Sequence, residues 1–177
     1  MDDLTLAQRI HERDAEALDL LVERHHSALF RFLGQLTRDH DDAEDLTQQS
    51  LMRAIVGAHR FDGRASCRAW LLGIAFHEFT RYRRRRVWLP ILAEFASRSR
   101  AIEAVDEAEA LRTALAKLKP ESRAIFLMHH VEELSVREIS MALQVAEGTV
   151  KSRLHAAREQ LRTYLCEGER TYVPETC

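Results

Sequence analysis

A scarcity of residues that interrupt helices is the strongest constraint on how this chain can fold. Only three prolines and six glycines are spread over 177 residues, and β-branched residues never form an alternating run. Apolar residues instead recur at spacings of three and four, which is the period of an amphipathic helix. The sequence therefore predicts an all-α protein.

Capping residues and apolar spacing predict four helices in the first half of the chain. Thr5 and Gln8 form a weak capping box for the first helix, and Asp14 opens the second. Glu44 lies in the capping position of the third helix, and the glycine-containing segment 60–66 is predicted as a loop. The four helices are predicted to begin near Leu4, Asp14, Asp41 and Cys67, and the last two to end near Ala58 and Arg86.

Four further helices are predicted after a stretch of poor periodicity. Pro120 stands where a helix can start, Ser135 and Glu138 form a capping box, and 144–146 is a tight turn. These helices are predicted to begin near Asp106, Pro120, Val136 and Glu147, and the last to end near Leu165. We therefore expect two small helical domains, at 1–88 and 106–166, joined by a flexible linker at 89–105 and followed by a tail at 167–177.

The two helices on either side of Gln144 are predicted to form a helix-turn-helix, whose second helix enters the DNA major groove. One stripe of that helix is apolar and would pack on its domain: Val150, Leu154, Ala157 and Leu161. The stripe beside it is basic and able to form hydrogen bonds: Lys151, Ser152, Arg153, His155, Arg158 and Arg162. An ordinary surface helix with a solvated basic face has the same pattern, so spacing alone leaves both interpretations open.

The charges are segregated, although the chain as a whole carries a formal charge of only −2. Acidic residues cluster at Asp39, Asp41, Asp42, Glu44 and Asp45, and arginines at Arg81, Arg83, Arg84, Arg85 and Arg86. Such blocks suggest two different partners, one of them a polyanion. Asp42, Asp45 and Gln49 share one face of the third helix, which suits a basic protein partner, a plain solvated face being the alternative.

Several classes of protein are not supported by the sequence. There is no signal peptide and no apolar run long enough to span a membrane, so we expect a cytoplasmic protein without membrane insertion. The three cysteines are expected to be reduced thiols, with a redox pair of Cys166 and Cys177 as the alternative. Adjacent histidines rarely bind one metal ion, and no catalytic set or phosphate-binding loop occurs. We therefore expect no metal, no cofactor and no enzymatic activity.

A series of motifs, in order along nearly the whole chain, resembles the extracytoplasmic-function (ECF) group of the sigma-70 family. The motifs span 42–49, 69–75 with the following arginines, 118–123, 135–139 and 148–158. The resemblance implies an alternative sigma factor, which binds core RNA polymerase, directs it to promoters and melts the minus-ten element. A helix-turn-helix regulator that acts without being a polymerase subunit is the alternative.

The resemblance also implies partners and roles for individual residues. The partners would be the clamp helices of the largest polymerase subunit, the flap region of the second largest, promoter DNA and an anti-sigma factor. The residues expected at the minus-thirty-five element are Lys151, Ser152, Arg153, His155 and Arg158. Those expected at the minus-ten element are Phe61 in a flipped-base pocket, Arg64, His77, Arg81, Arg83, Arg84, Arg85 and Arg86. Those expected at the polymerase clamp are Asp42, Asp45, Gln48 and Gln49.

The chain departs from the pattern of its apparent relatives at four of these places. His77 replaces a typical asparagine, Gln49 a glutamate, Ala156 an arginine and Arg81 an acidic residue. Histidine presents its donor and acceptor in a different geometry from asparagine, which suggests a changed base preference in the minus-ten element. Because His77 shares a helix face with Trp70 and Ile74, a partly buried structural histidine is the favoured alternative.

Overall fold

The architecture is all-α, as the sequence predicts, in a computed structural model that describes residues 2–87 and 107–170. The side chains of 87, 107–109 and 166–170 are not part of that description. The helices are α1 (Asp3–His11), α2 (Ala15–Thr37), α3 (His40–Gly57), α4 (Cys67–Val87), α5 (Glu107–Lys117), α6 (Pro120–His130), α7 (Val136–Leu143) and α8 (Glu147–Arg170), with a 3₁₀ turn at Ala58–Arg60. The predicted linker at 89–105 and the end of the predicted tail lie outside the described residues.

Aspartates just before the first three helices provide their N-terminal caps. Asp14 accepts the amide hydrogens of Glu16 and Ala17, as predicted. The predictions for the other two were wrong by two or three residues, because Asp2 accepts from Thr5 at the start of α1 and Asp39 from Asp42 at the start of α3. A short acidic side chain that reaches the amide three residues on satisfies a donor that the helix leaves unpaired.

The helix-turn-helix is formed by α7 and α8, and both helices begin where the sequence predicts. Ser135 caps α7 and receives the amide of Glu138, whose carboxylate in turn accepts from Ser135, so the predicted capping box is confirmed. Gln144 ends α7 in the left-handed conformation, with φ of 55°. This single residue reverses the chain and allows α8 to begin at Glu147. The helix continues to Arg170, beyond the predicted end at Leu165, and no proline occurs before Pro174.

We expect Ser135→Ala to lower the free energy of unfolding by about 1 kcal/mol, because the hydroxyl that accepts the Glu138 amide and donates to the Glu138 carboxylate is lost, while the backbone amide of residue 135 remains. The measurement is chemical denaturation followed by circular dichroism. Ser152→Ala is the matched control, since the Ser152 hydroxyl only bonds the carbonyl of Thr149 on the exposed surface of α8. An equal loss in the two variants would contradict a capping role for Ser135.

Helices α1–α4 form what we call the first module, and α5–α8 form the second module. The core of the first lies between α2, α3 and α4, with Leu21, Leu29, Phe32, Leu33, Leu71 and Leu72 almost fully buried. The core of the second lies between α6, α7 and α8, with Ile125, Met128, Ile139 and Val150 fully buried. The modules also touch, α4 against α7 and α2 against α6, so the buried apolar residues form one connected cluster.

Candidate nucleic-acid interface

Helix α8 presents the two faces that its sequence predicts. The apolar stripe is buried, with Val150, Leu154, Ala157 and Leu161 each at most 5% exposed. The expected DNA contacts Lys151, Ser152, His155 and Arg158 are exposed, and Arg153 is half-buried. The buried stripe fixes the rotation of the helix on its module, so the basic side chains lie together on its outer face.

Two histidines at the end of α6 support this surface. Nδ1 of His129 lies 2.9 Å from the carbonyl oxygen of Leu134, which can only accept, so Nδ1 carries the proton. Nε of Arg158 donates to Nε2 of His130 at 3.3 Å, and burial lowers the pKa of His130, with the nearby charges acting in the same direction. A neutral His130 is therefore available to orient the Arg158 guanidinium, a role that sequence reasoning did not find.

The arginines at the end of α4 form more contacts within the protein than their sequence indicates. Arg81 pairs with Glu78 at 3.1 Å, Arg83 lies over the Phe79 ring, and Arg86 pairs with Asp42 at 2.9 Å. All five arginines of the run are exposed, including Arg84 and Arg85. The run thus combines links within the first module with exposed cations suited to phosphate contacts.

Asp42 faces α4 in this structure. Its carboxylate accepts the Tyr82 hydroxyl as well as Arg86, and burial together with that hydrogen bond raises the pKa of Tyr82 to about 12. Among the residues expected to bind the polymerase clamp, Asp45, Gln48 and Gln49 are exposed. Asp42 is instead half-buried and joins α3 to α4, a pairing that spacing along α3 could not indicate.

A groove beside Gln48 and Gln49 contains apolar residues that sequence reasoning missed. Met52 is 59% exposed and Val56 is 74% exposed, and both line this groove. Gln48, Met52 and Val56 recur every four residues and so share one helix face, which is the signal that could have revealed them. Exposed apolar side chains next to polar ones are typical of a protein-binding surface.

The side chain proposed to meet a flipped base is covered in this structure. Phe61 is 9% exposed and packs on Trp70, with 5.3 Å between the ring centroids. Arg64, in the same loop, is exposed and pairs with Asp62 at 3.3 Å. A base could stack on Phe61 only after the loop or Trp70 moves.

His77 has an exposed side chain on α4 whose ring is partly shielded, so a base contact and a partly buried structural role both stay predictions. Partial burial of its ring lowers its pKa, and the positive charge of Arg81 acts in the same direction. The ring is therefore neutral at pH 7, with one donor and one acceptor nitrogen. Its location beside the arginine run keeps it available for a base contact.

No metal cluster occurs among the residues that the structure describes: no three histidine, cysteine or acidic side chains come together there. Cys67 is buried, and burial raises the pKa of its thiol to about 12, so it is not a reactive thiolate. The side chains of Cys166 and Cys177, the predicted alternative redox pair, lie outside the described residues. None of the described helices is long and apolar enough to cross a membrane.

Comparison with known proteins identifies both modules. The family described as "Sigma-70 region 2" matches residues 21–89, and "Sigma-70, region 4" matches residues 108–161. The ECF RNA polymerase sigma factor SigM of Mycobacterium tuberculosis is 33% identical over 86% of this chain and 79% of its own length. SigE of Mycolicibacterium smegmatis is 33% identical over 84% of this chain, which spans 62% of that relative.

A solved structure gives the same result. The sigma factor RpoE of Bartonella quintana, in complex with the anti-sigma factor NepR, superposes with a TM-score of 0.68 and 28% identity, covering 85% of this chain and 95% of that one.

These matches, together with the helix-turn-helix and the arginine-rich helix of the first module, define a promoter-specificity protein of the sigma-70 type. The chain belongs to the ECF RNA polymerase sigma factor family. It is an alternative sigma factor that directs RNA polymerase to promoters. The match of the first module to region 2 argues against the alternative of a helix-turn-helix regulator acting outside the polymerase.

Proposed function

We propose that the two modules have separate functions, the first module spanning 1–88 and the second 106–166. The first binds core RNA polymerase and opens the minus-ten element, and the second reads the minus-thirty-five element. The observation that carries the proposal is the geometry of α8, whose buried stripe fixes an exposed row of basic and hydrogen-bonding side chains on a helix-turn-helix.

The polymerase contact is proposed on the exposed face of α3. The polar groups of this face are those of Asp45, Gln48 and Gln49. Its apolar surface is that of Met52 and Val56, and removal of this surface from water would favour binding of a partner. The clamp helices of the largest subunit are the proposed partner. Asp42 is left out of this contact, because Tyr82 and Arg86 already engage its carboxylate. The flap region of the second largest subunit is proposed to bind the second module.

The minus-ten contact is proposed along the loop before α4 and the exposed face of α4. Arg64, Arg84 and Arg85 are exposed cations for the backbone of a melted strand, and His77 is placed for a base edge. Phe61 would receive a flipped base after it separates from Trp70. The other three arginines of the run would either replace their contacts within the module by contacts to phosphates or continue to position the helix. They are Arg81, Arg83 and Arg86.

Two further properties are proposed from the family. An anti-sigma factor is a proposed partner, supported by the likeness to a sigma factor solved in complex with one. The chain is proposed to act as a binding subunit without catalytic activity, metal or cofactor, in the cytoplasm where polymerase meets the chromosome.

The test is run-off transcription with core polymerase and the full chain on promoters selected from genomic sites bound by the two together. We expect a promoter-dependent transcript, and we expect Val56→Glu to weaken it about tenfold or more by placing a charge on the apolar part of the proposed contact. Val22→Glu is the matched control, because Val22 is an exposed valine on α2 that does not line the groove. Absence of any chain-dependent transcript would refute the proposal, and equal losses in both variants would refute the contact at α3.

A further inference from the structure

Helix α6 contributes a histidine to the exposed basic surface of α8. The two helices pack against each other in the second module, and His130, the last residue of α6, contacts Arg158 in the middle of α8. Both side chains are exposed at this place. Because His130 comes before the helix-turn-helix in the chain, the motif itself gives it no part in reading DNA.

Two neighbours on its own helix hold the His130 ring. Its centroid lies 4.5 Å from that of Phe126, one turn earlier, and 4.8 Å from that of His129. Phe126 packs against the hydrophobic core, and Nδ1 of His129 is hydrogen-bonded to the carbonyl oxygen of Leu134 at 2.9 Å. Since both neighbours are themselves held, the orientation of the His130 ring towards α8 is restricted.

The hydrogen bond between the two residues requires a neutral histidine. Nε of Arg158 donates to Nε2 of His130 at 3.3 Å, so Nε2 carries a lone pair. Burial lowers the pKa of His130, and the neighbouring His129 on α6 and Arg158 on α8 act in the same direction, so the ring is neutral at pH 7. A proton on Nε2 would remove the acceptor and place a second positive charge beside the guanidinium.

This bond prepares Arg158 for a partner. A long, flexible side chain loses conformational entropy when it is ordered at an interface, and the bond to His130 restricts that freedom before DNA arrives. The edge formed by the two Nη groups of the guanidinium is separate from Nε. That edge matches two neighbouring acceptors on DNA, at a guanine edge or at a phosphate.

We propose that His130 is a positioning residue for promoter recognition: as a neutral acceptor it aligns Arg158 towards a pair of acceptors on the minus-thirty-five element, and it ceases to do so when its ring is protonated. This inference rests on the proposed function of α8. It extends the reading surface to a residue of α6 that need not touch DNA, and it makes the reading sensitive to acid.

The first test compares two substitutions of His130 in the full chain bound to core polymerase, by filter binding on a selected promoter. His130→Gln retains an acceptor oxygen for Nε of Arg158, and His130→Ala does not. We expect the glutamine variant to bind as the wild type does and the alanine variant about fivefold more weakly, the effect of one hydrogen bond. Because His130 is exposed, neither change disturbs the core.

A double-mutant cycle shows whether the effect passes through Arg158. In an Arg158→Ala background, His130→Ala should cause no further loss, because the side chain that it aligns is absent. An equal loss in both backgrounds would overturn the positioning role. Unrelated DNA separates the two kinds of acceptor: a loss on the promoter alone supports alignment towards a guanine edge, and a loss on both DNAs supports alignment towards a phosphate.

The pH profile is a readout that a purely structural role would not affect. Between about pH 7.5 and about pH 5.5, wild-type affinity should fall towards that of His130→Ala, whereas His130→Gln, which cannot titrate, should lose less. A salt concentration of about 0.3 M keeps the general attraction of one added charge weak. His26→Gln is the matched control and should follow the wild type, since His26 is an exposed histidine of α2 outside the proposed contacts.

Equal affinities of the alanine and glutamine variants, or equal pH profiles of the wild type and His130→Gln, would overturn the proposal. If Arg158→Ala left promoter affinity unchanged, the proposed role of Arg158 would fail, and the positioning role with it. If Arg158→Ala weakened binding while His130→Ala did not, only the positioning role would fail.

Discussion

Arg123→Met is expected to lower the free energy of unfolding by roughly 3 kcal/mol. The guanidinium of Arg123 donates to the carbonyl oxygens of Gln35 and Leu36 at 3.3 and 3.4 Å, and to those of Ala116 and Leu118 at 2.6 and 3.3 Å. It therefore satisfies carbonyls at the C-terminal ends of α2 and α5, which no helical amide can reach.

Two effects oppose each other in this substitution. Burial lowers the pKa of Arg123, with the charges of Arg38 and Arg83 acting in the same direction, so removing the cation relieves a cost of desolvation. Each carbonyl left unpaired in a buried place costs about 1 kcal/mol or more, and four are affected. We expect the lost hydrogen bonds to outweigh the relief.

The measurement is urea denaturation followed by circular dichroism, with Arg84→Met as the control. Arg84 is an exposed arginine of α4, and its replacement should change the free energy of unfolding by less than about 0.5 kcal/mol. If Arg123→Met were as stable as the wild type, water would have to satisfy these carbonyls, and the guanidinium would have no bridging role.

Replacing Lys151 and Arg158 together by alanine is expected to weaken promoter binding by the reconstituted polymerase about 100-fold. Both side chains are exposed on the face of α8 that points away from its module, and each lost contact to a base or phosphate costs about 1–3 kcal/mol. The slope of affinity against salt concentration should also fall, because fewer counterions are released on binding.

The matched control is the pair Lys117→Ala and Arg112→Ala. It removes the same two kinds of charge from the second module, but from α5 and not from the basic stripe of α8, and Lys117 lies over the Tyr164 ring. Filter binding on a promoter and on unrelated DNA separates specific from general attraction. Similar losses for the two pairs on the promoter would mean that α8 contributes only its charge.

Local features that depend on a few neighbouring residues were predictable from the sequence. The capping box of α7 was predicted with its bounds, because it requires only Ser135 and Glu138 at a spacing of three. The buried stripe of α8 was predicted for a similar reason, since helical geometry alone puts Val150 and Leu154 on one face. The all-α class of the fold was predictable for the same reason, because it depends on capping residues and on the spacing of apolar residues along each helix.

Features that depend on residues far apart in the chain were not predictable in this way. Asp42 was grouped with the acidic face of α3, but the hydroxyl of Tyr82, forty positions away, donates a hydrogen bond to its carboxylate. Phe61 was assigned to a flipped-base pocket, but the sequence did not indicate that its ring packs on Trp70 and is nearly buried. In each case a side chain of suitable chemistry finds its partner only when two helices pack, and periodicity along one helix contains no information about that packing.

By itself, the sequence determined that this chain is a two-part helical protein with a DNA-reading helix, because hydrophobic period, capping and motif order are local properties of the chain. Only the tertiary structure decided which charges remain exposed and how the modules meet. From the sequence alone, Gly73 is only a residue that weakens a helix; the structure shows that the backbone of Ala142 packs against it. Glu132 is likewise an ordinary carboxylate in the sequence, but in the structure it is buried and paired with Arg31 and Arg68. The physical reason is that burial and ion pairing depend on distances in space, which packing sets independently of distances along the chain.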